Sequence, residues 1–373
     1  MHIAVDAREL TGRPTGVGTY LAHLLAEWAH LPEAAAHRWS LYVPSSALVP
    51  GTKSGANVGG TATWRQAPFA VRQVPGTGGT MWEQGALGAA LRRDRPDVLF
   101  APGYTAPLAV RLPIVLTVHD VSYFAHPEWF GSREGFRRRL VTRRAARRAR
   151  VVLTVSEFSR QQILRRLGIR AERVQVIRHG IARPAAAPPG SARTPTILYV
   201  GSILNRRRVP DLIRAFRAVL ADVRDARLEL VGENRTHPHE DLERLVRELG
   251  LEQVVELRSY ISDADLEAAY CRARVFAFLS EYEGFGLTPL EAMAHNVPPV
   301  VLDTPIAREV YEDAALYVAS GDVAGTAAAL TRLLGEDEIR DRLLEASSRL
   351  LPRYSWPEAA RATLAAIERG ASC

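Results

Sequence analysis

Val275-Phe276-Ala277-Phe278-Leu279 runs directly into Ser280-Glu281-Tyr282-Glu283-Gly284-Phe285-Gly286-Leu287-Thr288-Pro289-Leu290-Glu291-Ala292-Met293. Five apolar residues in succession fit a strand buried on both faces, as in a parallel sheet. Gly284 and Gly286 bracket Phe285, so the backbone can turn tightly there and approach a ligand closely. Thr288 suits an N-cap and Pro289 the first helical position. The segment therefore reads strand, glycine turn, helix. The start of such a helix offers free N–H groups and the positive end of the dipole, an anion site that suits a diphosphate. Two carboxylates flank it, each with two readings. Thr288-x-x-Glu291 is a capping box in which Glu291 bonds the N-cap amide, or Glu291 faces a ligand. Glu283 is plain loop polarity, or a group placed for chemistry.

The same alternation extends in both directions. Upstream, apolar runs at Ile3–Val5, Trp39–Val43, Asp97–Phe100, Ile114–Val118 and Val151–Val155 read as strands. Leu21, Leu24, Leu25 and Trp28 after Tyr20 have helical spacing. Nearer the opening segment, Thr196–Val200, Arg227–Val231, Val254–Leu257 and Pro299–Leu302 read as strands. The stretches Val209–Ala221, Glu240–Leu249 and Ala264–Arg272 read as helices between them. Strands alternating with helices imply an α/β fold with parallel sheets, and the pattern occurs twice. Between the halves, the Pro- and Ala-rich Ala182–Ser191 lacks apolar periodicity and reads as a linker. The expected organisation is 1–183 for the N-terminal domain, 184–195 for the linker, 196–352 for the C-terminal domain and 353–373 for a closing helix. In that helix Ser355 serves as N-cap and Pro357 lies in the first turn. Gly51–Gly60 and Pro75–Thr80 read as loops.

At 373 residues, with 47% hydrophobic and 24% charged composition, the chain suits two domains that each bury a core. Disordered and collagen-like classes are excluded. The net charge is +7, and of the 48 basic residues only Lys53 is a lysine. An excess of arginine favours anionic partners, although such a complete preference also reflects genome composition. Cys271 and Cys373 make no disulfide framework, which suits a reducing cytoplasm. No run reaches the ~20 apolar residues of a membrane span, and the N-terminus does not read as a signal peptide. No His/Asp/Glu cluster has metal-ligand spacing, so no metal is expected.

Glu283-x7-Glu291 around Gly-Phe-Gly resembles the signature of the retaining glycosyltransferases of family 4, which have the GT-B fold. Other segments agree in order along nearly the whole chain. Gly201-Ser202-Ile203-Leu204-Asn205-Arg206-Arg207-Arg208 is similar to the family's basic loop. Val118-His119-Asp120 resembles its first-domain His-Asp. Thr15-Gly16-Val17-Gly18-Thr19-Tyr20 resembles its glycine-rich loop. Val155–Ser159 and Glu309–Val318 also match. Asp6-Ala7-Arg8 and Trp82-Glu83-Gln84 lean toward the bacterial mannosyltransferase-like members.

The resemblance implies two Rossmann-like domains facing across a cleft, with the C-terminal helix crossing back to the N-terminal domain. It implies that Glu283 faces the donor sugar and that Glu291 accepts from ribose hydroxyls. Gly201, Ser202, Gly284, Phe285, Gly286, Leu287 and Thr288 then surround the donor. Arg206 and Arg207 follow a strand end and should grip the diphosphate and stabilise charge on the leaving phosphate; the bland alternative is a solvated basic loop. The family has Lys where Arg207 stands and Asn where Arg208 stands, and Arg keeps the charge without the compact ammonium. His119 reaches the donor sugar in this scheme; otherwise it is a structural histidine. Gly16 and Gly18 bring backbone N–H groups to phosphate or acceptor, or simply make a tight turn. Glu281 receives no role. The reaction implied is front-face transfer with retention, independent of metal. The donor is a nucleotide-sugar, by analogy GDP-mannose first and a UDP-sugar otherwise. The acceptor is a glycan, a lipid-linked sugar or a small molecule. The rival readings are a non-catalytic nucleotide-sugar-binding protein and another GT-B enzyme, such as a nucleotide-sugar epimerase.

The stretch 131–150 holds nine arginines and one acid, Glu134, with Phe136 and Leu140 spaced i, i+4. It is a solvated basic face, or a surface for anionic lipid that places the protein at the inner membrane face. Nucleic acid is not expected, because no aromatics interleave with the arginines.

Overall fold

The computed structural model of the protein describes residues 1–11, 16–48, 68–182, 184 and 193–372. The chain forms two compact units. One comprises Met1–Pro127, Gly131–Gly180 and Ser355–Cys373; the other comprises Glu128–Phe130 and Ile181–Tyr354. The first unit thus ends at Gly180 and resumes at Ser355, where the sequence suggested 183 and 353. Most of the expected linker, and the Gly51–Gly60 loop, lie outside the described residues.

The first unit contains β1 (His2–Asp6), β2 (Arg38–Pro44), β3 (Phe69–Val74), β4 (Val98–Ala101), β5 (Ile114–Thr117), β6 (Val151–Thr154) and β7 (Val174–Val176). They form one parallel sheet in the order β3-β2-β1-β4-β5-β6-β7. β1 is buried along its whole length, as a strand covered on both faces must be. Trp28 and Trp39 are fully buried and stack with centroids 4.9 Å apart. The Trp28 indole N–H donates to the Ala360 carbonyl at 2.9 Å, which ties the C-terminal Trp356–Ser372 helix into this core. That helix buries Trp356, Ala359, Ala360, Leu364 and Ile367, at helical spacing. Ser355 caps it, its Oγ accepting from the Glu358 N–H at 3.3 Å. Gly370 lies so close to β5 that a β-carbon there would stand 2.6 Å from Val115. Only a glycine lets the helix sit this near the sheet.

The second unit contains β8 (Thr196–Val200), β9 (Arg227–Val231), β10 (Val255–Arg258), β11 (Val275–Phe278), β12 (Pro299–Leu302) and β13 (Leu316–Val318). The order is β10-β9-β8-β11-β12-β13, again parallel. Its Val209–Val219 helix buries Val209, Leu212, Ile213, Phe216 and Val219, an i, i+3, i+4, i+7 stripe facing the sheet. Each unit is therefore doubly wound.

In both sheets the chain builds outward from one strand and then resumes on that strand's other side. The reversal falls between β1 and β4 in the first unit and between β8 and β11 in the second. Loops part there beyond the carboxyl ends of the strands, where open α/β sheets bind their ligands.

Candidate functional site

At the reversal point of the second unit, β8 ends in Gly201 at φ +137°. A β-carbon there would stand 2.5 Å from Arg207 Nη1. β9 ends in Gly232 at φ +159°, with its missing β-carbon 1.9 Å from the Gly201 carbonyl oxygen. The two glycines let two strand-end turns pack backbone on backbone. A turn of 3-10 helix, Asn205–Arg207, follows, and it places the Arg207 guanidinium over the Phe278 ring at 5.0 Å. Arg207 Nε donates to Glu283 Oε1 at 3.0 Å, and its Nη1 donates to the Ser202 carbonyl at 2.9 Å. The Ser280 hydroxyl donates to the same Glu283 oxygen at 2.8 Å. Both Arg207 and Glu283 side chains are 14% exposed. Burial opposes the charge on Arg207, but Glu283 and Tyr199 outweigh it and hold the guanidinium's proton above the usual range. Glu283 is thus fixed in direction by two donors, Ser280 from just beyond β11 and Arg207 from the loop after β8.

Arg206 and Arg208 have different surroundings. Arg208 sits at φ +49° and caps the Val209–Val219 helix. It pairs with Asp211 at 2.8 Å and with Glu281 at 3.5 Å. Glu281 also accepts from the Ser320 hydroxyl at 2.9 Å, so it is a structural tie. Arg206 carries a buried Nε without a hydrogen-bond partner among the described residues, while its carbonyl accepts from the Glu281 N–H at 2.9 Å. A buried cationic N–H left unpaired costs about 1–3 kcal/mol. An anion arriving at this loop would remove that cost.

The helix after the glycine turn spans Leu287–Ala294, and Gly286 is its N-cap at φ +87°. Thr288 is therefore the second helical residue and Pro289 the third, which corrects the expectation of a Thr288 cap. Gly286 is the cause: in the left-handed region it lets the chain enter the helix at once. Tyr311 fills the space beside it, its hydroxyl donating to the Gly286 carbonyl at 2.9 Å. Thr288 Oγ1 is buried without a hydrogen-bond partner among the described residues. Glu291 lies in the second turn and makes no capping box. Its Oε2 accepts from the Tyr270 hydroxyl at 3.4 Å. Burial pushes the Glu291 carboxyl above the ordinary range, against the opposing pull of Tyr270 and His295.

The other expected site residues belong to the first unit. His119 follows β5 and is buried, with Nε2 2.8 Å from the Pro102 carbonyl. That bond makes Nε2 the protonated nitrogen and leaves Nδ1 an acceptor. The ring lies edge-on to Tyr20 at 4.9 Å and stacks with His179 at 5.5 Å. Burial lowers its pKa, so the imidazole is neutral near pH 7. Gly16 is exposed at the start of the Gly16–His30 helix, and a β-carbon there would meet nothing within 4 Å. Gly18 is buried inside the same helix.

Most arginines of the basic helix, Ser132–Arg148, have structural partners. Arg139, Arg143, Arg147 and Arg148 donate to the carbonyls of Tyr123, Arg166, Leu167 and Leu108. Phe136 and Leu140 remain 62% and 38% exposed. Among the described residues no group of three or more His, Cys, Asp or Glu side chains converges on a point that could hold a metal ion. No described helix is long and apolar enough to cross a membrane.

Sequence reasoning missed the supports of the site. Ser280, Tyr270 and Tyr311 orient Glu283, Glu291 and Gly286, and nothing in their spacing points to those partners. Only Ser280, the first polar residue beyond β11, carried a positional signal.

Comparison with known proteins decides the lineage. The family profile described as Glycosyltransferase Family 4 matches residues 14–183, and that described as Glycosyl transferases group 1 matches 187–349. The chain belongs to glycosyltransferase family 4. An O-antigen chain mannosyltransferase B from Escherichia coli is 26% identical over 290 residues, which is 75% of this chain and 76% of that protein. An MMP alpha-(1->4)-mannosyltransferase from Mycolicibacterium hassiacum is 31% identical over 254 residues, 66% of this chain and 60% of the relative. Among solved structures, Anabaena HepE in complex with UDP and glucose superposes with a TM-score of 0.73 at 18% identity, covering 99% of each chain. That likeness establishes the GT-B fold of this family 4 glycosyltransferase.

Proposed function

We propose that this glycosyltransferase moves a hexosyl unit from a nucleotide-sugar to an acceptor hydroxyl with retention of anomeric configuration. One observation carries the reading. Glu283, clamped by Arg207 and Ser280, stands at the same strand reversal as the unpaired Arg206 Nε and the Leu287–Ala294 helix start. An anion-binding end beside a directed carboxylate suits a sugar diphosphate, with the diphosphate on Arg206 and the helix N–H groups and the sugar hydroxyls on Glu283. Glu291 receives the ribose hydroxyls. Arg206 and Arg207 meet the diphosphate's charge without a metal. In the transfer the anomeric carbon–phosphate oxygen bond breaks, the bond to the acceptor oxygen forms on the same face, and the acceptor's proton passes to the departing phosphate. The protein's part is positioning and charge stabilisation.

The mannosyltransferase relatives, one of them named for GDP-mannose and a diphosphopolyprenol-linked sugar, favour GDP-mannose as donor, with a UDP-sugar second, and a glycan, lipid-linked or small-molecule acceptor. The exposed Phe136 and Leu140 among arginines favour work at the anionic cytoplasmic face of a membrane. A thermal-shift series with GDP, UDP, ADP and dTDP, followed by their sugars, tests the donor site. One nucleotide should raise the melting temperature by mass action. Glu283→Gln should keep that shift and lose transfer by about a hundredfold or more. No shift with any nucleotide, or undiminished transfer by the variant, overturns the reading.

A further inference from the structure

Two sequence segments with no role so far, Asp6-Ala7-Arg8 and Trp82-Glu83-Gln84, meet in the first unit. Asp6 ends β1, on one side of that sheet's reversal point. The loop after β4, on the other side, brings Thr105. Arg8 Nη2 donates to Glu83 Oε1 at 2.5 Å and to Thr105 Oγ1 at 3.1 Å, and the Thr105 hydroxyl donates to Glu83 Oε1 at 2.6 Å. The Gln84 amide donates to Glu83 Oε2 at 2.8 Å. Both Glu83 oxygens are therefore occupied. Asp6 differs. Its Oδ1 accepts from the Arg8 backbone N–H at 3.3 Å. Its Oδ2 lies 3.4 Å from Arg8 Nη2 and is buried without a hydrogen-bond partner among the described residues. The residue is 2% exposed, while the Arg8 side chain beside it keeps 12%. The loop that brings Thr105 also bonds His119, through the Pro102 carbonyl.

We propose that this cluster is the acceptor subsite of the enzyme, with a hydroxyl of a neutral sugar entering beside Arg8 and donating to Asp6 Oδ2. Glu83, Thr105 and Gln84 are positioning residues that hold Arg8 and, through it, Asp6. Position supports this, because ligands of open α/β sheets bind at the reversal point and Asp6 stands on it. Charge selects the ligand class. One guanidinium between two carboxyls leaves no net positive charge, so the cluster suits hydroxyl donors and disfavours phosphates. Burial lifts the Asp6 carboxyl to about 6, opposed by Arg8 and reinforced by Glu83 and Glu9. Hydroxyl binding to the carboxylate should then strengthen as pH rises through about 6.

The proposal rests on the transferase reading, and its test separates the two. Binding of methyl α-mannoside and of mannose 1-phosphate to the full chain is followed by saturation-transfer NMR, beside the nucleotide-induced melting shift. The wild type should prefer the neutral sugar, with affinity rising through about pH 6. Asp6→Asn should weaken that binding roughly tenfold or more and flatten its pH profile, with the nucleotide shift unchanged. The wild-type pH profile decides the matter even where the variant fails to fold. A flat wild-type profile, a preference for mannose 1-phosphate, or full sugar binding by Asp6→Asn overturns the subsite. A nucleotide shift without neutral-sugar binding also overturns it and leaves the donor site standing. Sugar binding without any nucleotide shift overturns the donor reading instead.

Discussion

Glu291 places a carboxyl where the surroundings resist its ionisation. Burial is the largest influence, the Tyr270 hydroxyl and His295 offset part of it, and the pKa stays above the ordinary range. His295 is itself occupied, stacked on Tyr270 at 4.5 Å and bonded to Glu267 at 2.9 Å. A carboxyl whose folded pKa is raised favours the folded state below its unfolded pKa and loses that contribution as pH climbs through the folded value. At neutral pH, where the unfolded chain ionises this carboxyl freely, Glu291 therefore weighs against the empty protein. Glu291→Gln should raise the melting temperature of the ligand-free chain at pH 7 and cut nucleotide affinity roughly tenfold, because the hydroxyls lose a charged acceptor. Melting curves with and without nucleotide check both. A lower melting temperature, or an unchanged nucleotide shift, would count against the role given to Glu291. At this scale the sequence showed the chemical groups but not their pairing. Glu283 and Arg207 are 76 residues apart, and no local spacing rule spans that distance. The capping box failed for a local reason: the left-handed Gly286 moved the helix start back to Leu287.

Strands illustrate the same limit one level up. The central strands were legible because burial on both faces demands continuous apolar runs. The three that were missed, β3, β7 and β13, are all sheet edges. β3 is buried only at its two ends, Phe69 and Val74, and the other two have only three residues each. An edge is covered on fewer sides, so its sequence carries less apolar signal. The Ser132–Arg148 helix was legible as basic, but not in what its arginines do. Several cap carbonyls of their own unit and serve packing. Its outward signal is apolar: Phe136 and Leu140, with Thr80 tied to Arg137 at 2.6 Å and Met81 next to it 88% exposed. Burying a side chain such as Phe in the headgroup boundary contributes about 1.5–3 kcal/mol. The Phe136→Ser/Leu140→Ser double variant should therefore lose at least about tenfold in binding to phosphatidylglycerol vesicles. Hydrolysis of the donor in solution should be unchanged. Flotation assays decide it: equal binding to neutral vesicles would refute the preference for an anionic surface, and no effect of the substitutions would refute the apolar contact.

For the whole molecule, the decisive small residue is Gly180, the last of the first unit before the chain crosses over. A β-carbon there would stand 2.1 Å from the Trp356 backbone nitrogen and 2.4 Å from its ring. The obstacle is backbone, so the entire returning helix would have to shift. Trp356 also packs against His179 at 5.6 Å and His23 at 4.4 Å, so the shift would open the first core. Gly180→Ala should cost about 1–3 kcal/mol, read as earlier unfolding of the first unit in urea. The nucleotide-induced shift, which reports the second unit, should persist. Loss of both together would mean that the units do not unfold separately.

The Trp356–Ser372 helix also imposes a calendar on synthesis. The second unit is nearly continuous in sequence and can close as soon as Tyr354 has been made. The first unit, begun at Met1, keeps the part of its sheet face over β4, β5 and β6 and the Trp28 side chain waiting until residues 356–372 emerge. Domains usually fold in the order in which they leave the ribosome. Here the half translated first is the half completed last, so the nascent chain carries that uncovered apolar surface throughout synthesis of the second unit.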